Sequence, residues 1–198
     1  MSKGDQTRER ILDRAFRQAG RDGLSGLSIG GLATELGLSK SGLFAHFGSK
    51  EDLEVAVLAK TAEQFEANVI KPALRAARGL PRLRKLFELW LRWMADPTLP
   101  GGCVFLAAAI ELDDREGRAR DYLVDAQQRL RSTLAQAARL AIEQGHFRAD
   151  LDCECFAFEM FAIVFGYHHS RRLMRDAKAE AHAHAAFERL LAEAAAGN

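Results

Sequence analysis

The run from Ser28 to Leu53 constrains the fold more than any other part of this chain, because its start and stop signals cut it into three short helices. Ser28 is a good N-cap, its hydroxyl placed to accept from an unpaired amide of a first helical turn. Ile29, Leu32, Ala33 and Leu36 follow at the spacing of one helical face. Gly37 ends that helix, since glycine tolerates the left-handed backbone a C-terminal turn needs. Ser39 caps a second short helix, and Gly48 closes the turn after it. Ser49, with Asp52 three residues on, resembles a capping box and opens a third.

Two short helices joined by a tight glycine turn make a helix-turn-helix. The second, Ser39 to about Ala45, is too small to be a core helix of its own. Its outward residues are Lys40, Ser41 and Phe44, with Gly42 between them. That small, polar face suits close approach to a DNA major groove. An ordinary helical hairpin inside an all-α core fits the same spacing.

Residues 7–53 resemble the N-terminal DNA-binding domain of TetR-family transcriptional regulators. The resemblance is carried by Thr7-Arg8, Ile11-Leu12, Ala15, Gly23, Ile29, Leu32-Ala33, Gly37-Leu38-Ser39, Gly42-Leu43-Phe44, His46-Phe47, Ser49-Lys50-Glu51 and Leu53. Three positions depart from the family pattern. Phe44 stands where tyrosine is usual, so a phosphate-contacting hydroxyl is missing. Gly30-Gly31 replaces better helix formers at a cost of up to ~1 kcal/mol each. Gly20 stands where a large apolar residue is usual, with Phe16 placed to fill the space one turn earlier.

Composition sets the outer bounds. The chain carries 28 basic and 27 acidic residues, but residues 1–50 hold eight Lys/Arg against five Asp/Glu, and residues 54–198 hold 20 of each. Bulk charge is too low for non-specific DNA binding, so affinity must come from a few placed contacts, doubled by dimerisation. The three cysteines form no disulfide framework. The N-terminus is charged from Lys3 onward and lacks a signal-peptide core, and the longest apolar run, Cys103–Ile110, is too short to span a membrane. A soluble cytoplasmic protein is expected.

The first helix is expected from about Thr7 to Asp22, after a frayed polar start, with Ile11, Leu12, Ala15, Phe16 and Ala19 inward. A long helix should run from Ser49 to about Ile70, where Pro72 ends or kinks it, and a shorter one should reach about Arg78. Pro81 opens another, with Leu83, Leu86, Phe87, Trp90, Leu91 and Met94 inward. Asp96–Gly102 reads as a loop. Cys103–Asp113 is apolar nearly all round and reads as a buried helix. Asp114 should cap a long helix ended by Gly145, Asp152 the next to about Met174, and a last helix should span about Asp176–Ala196.

Few side chains suggest chemistry. Cys153-x-Cys155 and His182-x-His184 look like metal ligands, but helical residues two apart point about 200° apart and chelate poorly. No phosphate loop, paired carboxylates or nucleophile triad stands out, so neither catalytic residues, a metal nor a cofactor is expected. Cys103 reads either as a small buried hydrophobe or as a redox sensor, the latter needing a lowered pKa and access.

The expected fold class is therefore all-α: a three-helix DNA-binding domain with a helix-turn-helix over residues 1–53, and a larger helical effector-binding and dimerisation domain over 54–198. The DNA face would comprise Ser28, Thr34, Ser39, Lys40, Ser41, Gly42, Phe44, His46 and Lys50. By resemblance, an effector pocket would draw on Phe65, Phe87, Trp90, Trp93, Met94, Cys103, Phe105, Phe161, Phe165 and His168, with Tyr167 or Glu111 as further polar groups. The resemblance also implies a homodimer through the two C-terminal helices, with Phe156, Phe161, Ile163, Val164, Tyr167, Leu173, Phe187, Leu190 and Leu191 offering apolar faces. The expected partners are a palindromic double-stranded operator and a small apolar or aromatic effector, with no membrane. A constitutive helical DNA-binding protein without effector and an all-α enzyme are the alternatives.

Overall fold

A computed structural model describes residues 2–99 and 101–196. Among these residues the regular structure is helical, apart from one isolated bridge between Phe147 and Ala195. The chain divides into two compact units, Met1–Gln64 with Asp96–Ala126, and Phe65–Ala95 with Gln127–Asn198.

In the first unit α1 spans Lys3–Asp22, beginning about one turn before the periodicity suggests. The cause is local. Ser2 Oγ accepts from the Asp5 amide at 3.1 Å and the Asp5 carboxylate accepts from the Ser2 amide at 2.9 Å, a complete capping box. Ile11, Leu12, Ala15, Phe16 and Ala19 are buried as expected. Helix α2, Ile29–Leu36, is capped by Ser28 and ends in a Schellman turn. There the Leu38 amide reaches back to Ala33 O at 2.8 Å and left-handed Gly37 to Thr34 O at 3.3 Å. Helix α3, Lys40–Phe47, is capped by Ser39 and buries Leu43 and Phe47. At the start of α4, Lys50–Phe65, Ser49 Oγ accepts from the Asp52 amide at 3.0 Å. It donates to the Asp52 carboxylate at 2.6 Å, so the acidic side chain takes the hydroxyl rather than the cap's own amide.

Two expectations for the rest of this unit are corrected. Helix α7, Val104–Leu112, is not buried all round: Ile110 is 78% exposed, and Cys103 is its buried N-cap residue rather than part of its first turn. Asp114 does not cap the next helix. Helix α8, Arg118–Glu143, starts after Gly117, and the cap is borrowed from α4, because the Arg118 amide donates to Glu51 Oε1 at 2.7 Å. A Cβ on Gly117 would lie 2.5 Å from that oxygen. The loop before α7 approaches the end of α1 closely: a Cβ on Gly101 would stand 1.3 Å from Gly20 O. Lys60 of α4 pairs with Glu9 and, at 2.7 Å, with Asp13 of α1.

In the second unit the helical path continues from α4 through a π turn, Glu66–Ile70, into α5, Lys71–Ala73. Pro72 has no amide to donate and its ring would meet the carbonyl four residues back, so a widened turn before it accommodates the proline without breaking the helix. The helical segment ends at Ala73, short of the expected Arg78. Helix α6, Leu80–Ala95, buries the predicted Leu83, Leu86, Phe87, Trp90, Leu91 and Met94, and Trp93 as well. The end of α8 forms a second Schellman turn at Gly145. Helix α9, Cys153–Arg172, is capped by the Asp152 carboxylate, and α10, Ala179–Ala194, packs along it. Phe87 stacks on Phe187 at 3.9 Å between centroids, joining α6 to α10.

Candidate functional site

The helix-turn-helix leaves one face open. Lys40, Ser41 and Phe44 are exposed on α3, Phe44 to 44%, while Leu43 and Phe47 point into the core. Gly42 is half-buried, with its amide donating to Ser39 Oγ at 3.0 Å, and Ser39 Oγ lies 3.1 Å from Ser41 Oγ. Lys40 lies back across α2, since a Cβ on Gly30 would come within 3.0 Å of its Cε. Ser28 and Thr34 are exposed at the two ends of α2, and Thr34 donates to Gly30 O at 3.0 Å. His46 is half-buried at the last turn of α3. Lys50 is partly committed elsewhere: Nζ donates to Ser25 O at 3.3 Å and lies 3.6 Å from Glu54 Oε1. Glu54 is 4% exposed, and burial pushes its carboxyl above the ordinary value.

Of the ten residues expected around an effector, eight fall in the second unit, whereas Cys103 and half-buried Phe105 belong to the first. Within the second unit five rings form a connected string. Phe65 meets Trp90 and Trp93 edge-on, each at 5.8 Å; Trp90 meets Phe161 at 5.4 Å; Phe161 stacks on Phe165 at 4.7 Å. His168 follows Phe165 at the spacing of the same α9 face. Both ends carry a polar atom with no protein partner, Trp93 Nε1 and His168 Nε2. Burial, and then the charge of Arg172, depresses the His168 pKa, which favours the neutral ring. Phe87 is occupied by Phe187, and Met94 is buried. Glu111, expected as a pocket group, is bound to backbone amides of the first unit instead. Nothing in its local sequence signals that use.

The apolar residues of the last two helices sort by burial. Phe156, Val164, Tyr167, Phe187, Leu190 and Leu191 are core, Phe161 and Ile163 are half-buried, and Leu173 is 71% exposed. Phe158 is 59% exposed, and exposed Ala162 and Gly166 continue its stripe along α9. Among the described residues no three His, Cys, Asp or Glu converge to hold a metal ion, and no helix is long and apolar enough to cross a membrane.

A capped helix-turn-helix with a bare recognition face, joined to a larger set of helices, defines the class of DNA-binding transcriptional regulators. Residues 11–57 match the family model of bacterial regulatory proteins of the tetR family, and residues 79–187 match that of the tetracyclin repressor-like C-terminal domain. The chain belongs to the TetR family. It is 22% identical over 140 residues to the uncharacterized HTH-type transcriptional regulator YezE of Bacillus subtilis (strain 168), covering 71% of this chain and 72% of that one. A TetR transcriptional regulator from Chloroflexus aurantiacus J-10-FL superposes with a TM-score of 0.84 at 26% identity, over 97% of this chain and 96% of that one. AibR, solved in complex with isovaleryl coenzyme A and operator DNA, superposes with a TM-score of 0.76 at 21% identity, over 93% and 97% of the two chains.

Proposed function

We propose that this protein is a cytoplasmic homodimeric repressor, released from a palindromic operator by a small apolar or aromatic effector. Residues 1–53 contact DNA and residues 54–198 bind the effector and the second copy. The observation that carries the effector reading is the ring string of the second unit, whose ends are buried polar atoms without protein partners. Buried polar atoms are ordinarily paired. A mainly apolar ligand presenting an acceptor to the Trp93 indole N–H, or a polar group to the neutral His168 ring, would satisfy them. AibR supports the general arrangement of operator and small molecule on one such fold.

On DNA, Lys40 and Ser41 face base edges, Gly42 lets the backbone approach, and Phe44 packs on sugar or a thymine methyl. Ser28, Thr34, Ser39, His46 and Lys50 lie along the phosphates. The stripe of Phe158, Ala162 and Gly166, with α10, supplies the dimer contact. Release follows from linkage: an effector that favours the DNA-incompetent spacing of the two heads lowers operator affinity by the same coupling factor. Helix α4 is the lever, since it starts beside Ser25 and runs on to Phe65 within the ring string.

The test is a thermal-shift screen of apolar and aromatic small molecules, with hits carried into binding of a duplex that the protein enriches from a random pool. A hit that raises Tm and lowers duplex affinity is expected. A ligand that stabilises the protein and leaves DNA affinity unchanged refutes the lever. A constitutive regulator, in which the mutual ring contacts are simply core, becomes the better reading if no compound binds.

A further inference from the structure

The turn between α1 and α2 is held from a distant part of the chain. Both carboxylate oxygens of Glu111, on α7, accept backbone amides there: Oε1 from Leu24 at 3.2 Å and Oε2 from Ser25 at 2.7 Å. Gly23 makes this approach possible, since its φ is 75° and a Cβ there would lie 1.9 Å from Glu111 Oε1. The Ser25 carbonyl accepts from Lys50 Nζ at 3.3 Å. This short segment therefore has two amides and a carbonyl fixed by side chains from two helices, three residues before Ser28 caps α2. Carboxylate–amide hydrogen bonds are charge-assisted and directional, so a bidentate pair defines backbone orientation better than apolar packing does.

We infer that Glu111 is a positioning residue for DNA recognition: through the 24–25 amides it sets the orientation of the helix-turn-helix on α1, and loss of its carboxylate lowers operator affinity. The inference rests on the proposed operator binding and adds to it a residue that shapes the DNA-binding unit from within. Nothing polar on Glu111 needs to touch DNA.

Electrostatics makes the test discriminating. Removing a negative charge from the DNA-binding unit strengthens DNA binding if charge alone matters. Positioning predicts the opposite. Glu111→Gln keeps the shape but leaves one accepting oxygen and no charge, and Glu111→Ala removes both acceptors. Full-length wild type and both variants are compared on the duplex that wild type enriches from a random pool, with amide hydrogen exchange followed in the same proteins. Glu111→Gln is expected to bind about tenfold more weakly. Its exchange should rise at residues 24–28, with the salt slope of binding and the exchange of α9 unchanged. Glu111→Ala should be weaker again; should it fail to fold, Glu111→Gln alone decides. Equal or tighter duplex binding by Glu111→Gln, or unchanged exchange at 24–28, overturns the role. A wild type that enriches no sequence refutes the operator reading itself and this role with it, whereas enrichment by wild type with equal binding by Glu111→Gln refutes the role alone.

Discussion

Replacing Lys50 with alanine tests two roles separately, its pairing with buried Glu54 and the phosphate contact proposed for it. Its ammonium lies 3.6 Å from Glu54 Oε1, and Glu54 is 4% exposed with no hydrogen bond to that oxygen. Lys50→Ala leaves a buried carboxylate without its neighbour. Stranding a fully buried charge costs several kcal/mol, and an exposed pair contributes less than about 1 kcal/mol. With the lysine side chain 44% exposed and the glutamate 5%, the loss should fall between these limits, at about 1–2 kcal/mol. For a chain of this size that is a Tm drop of roughly 2–8 °C. Glu54→Gln removes the stranded charge, so Lys50→Ala in that background should cost well under half as much. The pH dependence has a definite sign. Burial raises the Glu54 carboxyl above its ordinary value of 4.5, so the folded state holds this proton more tightly than the unfolded chain does. Its favourable contribution is complete below about 4.5 and is lost as pH rises through the folded value. The Lys50→Ala deficit should accordingly be large at pH 7–8 and shrink toward pH 4.5. Urea denaturation of the four proteins of this cycle, at both ends of that pH range, measures it. A Lys50→Ala deficit that is the same with and without the Glu54→Gln substitution, or that grows on acidification, refutes the pairing.

In DNA binding the same Lys50→Ala protein should lose affinity evenly across sequences and flatten the salt slope by about one, read from titrations at several salt concentrations. Lys40→Ala should instead relax sequence preference, seen as a broader set of enriched duplexes; an unchanged set removes Lys40 from the base-reading face. Gly101→Ala should destabilise by at least ~3 kcal/mol, because a methyl would overlap Gly20 O while the backbone stays at φ 83°; a thermal melt within a degree of wild type would contradict the close approach. Phe158→Asp should yield a monomer by light scattering at micromolar concentration while the far-UV helical signal persists, and an intact dimer would move the interface elsewhere.

Much of the head was legible because its signals are local. Ser28, Gly37, Ser39 and Gly48 act on amides and carbonyls within a few residues, so caps and turns read directly from their spacing. Apolar periodicity likewise identified the inward residues of α1 and α6. The start of α1 was also local, but it turned on a Ser2–Asp5 box in a polar segment that apolar periodicity passes over. Other features were decided by groups far apart in the chain. Asp114 reads as a cap from its position, yet the helix starts later, at Arg118, whose amide is satisfied by Glu51, 67 residues away. The apolar run after Cys103 suggested full burial, yet only packing could leave Ile110 in solvent and turn Glu111 onto Leu24 and Ser25. Of the apolar residues on the last two helices, composition could not say which are core and which are surface. Tertiary contacts buried Phe156 and Phe187 and left Phe158 exposed. The physical reason is common to these cases: a cap or a turn is settled within one or two turns of helix, whereas burial and borrowed hydrogen bonds depend on which distant segment arrives.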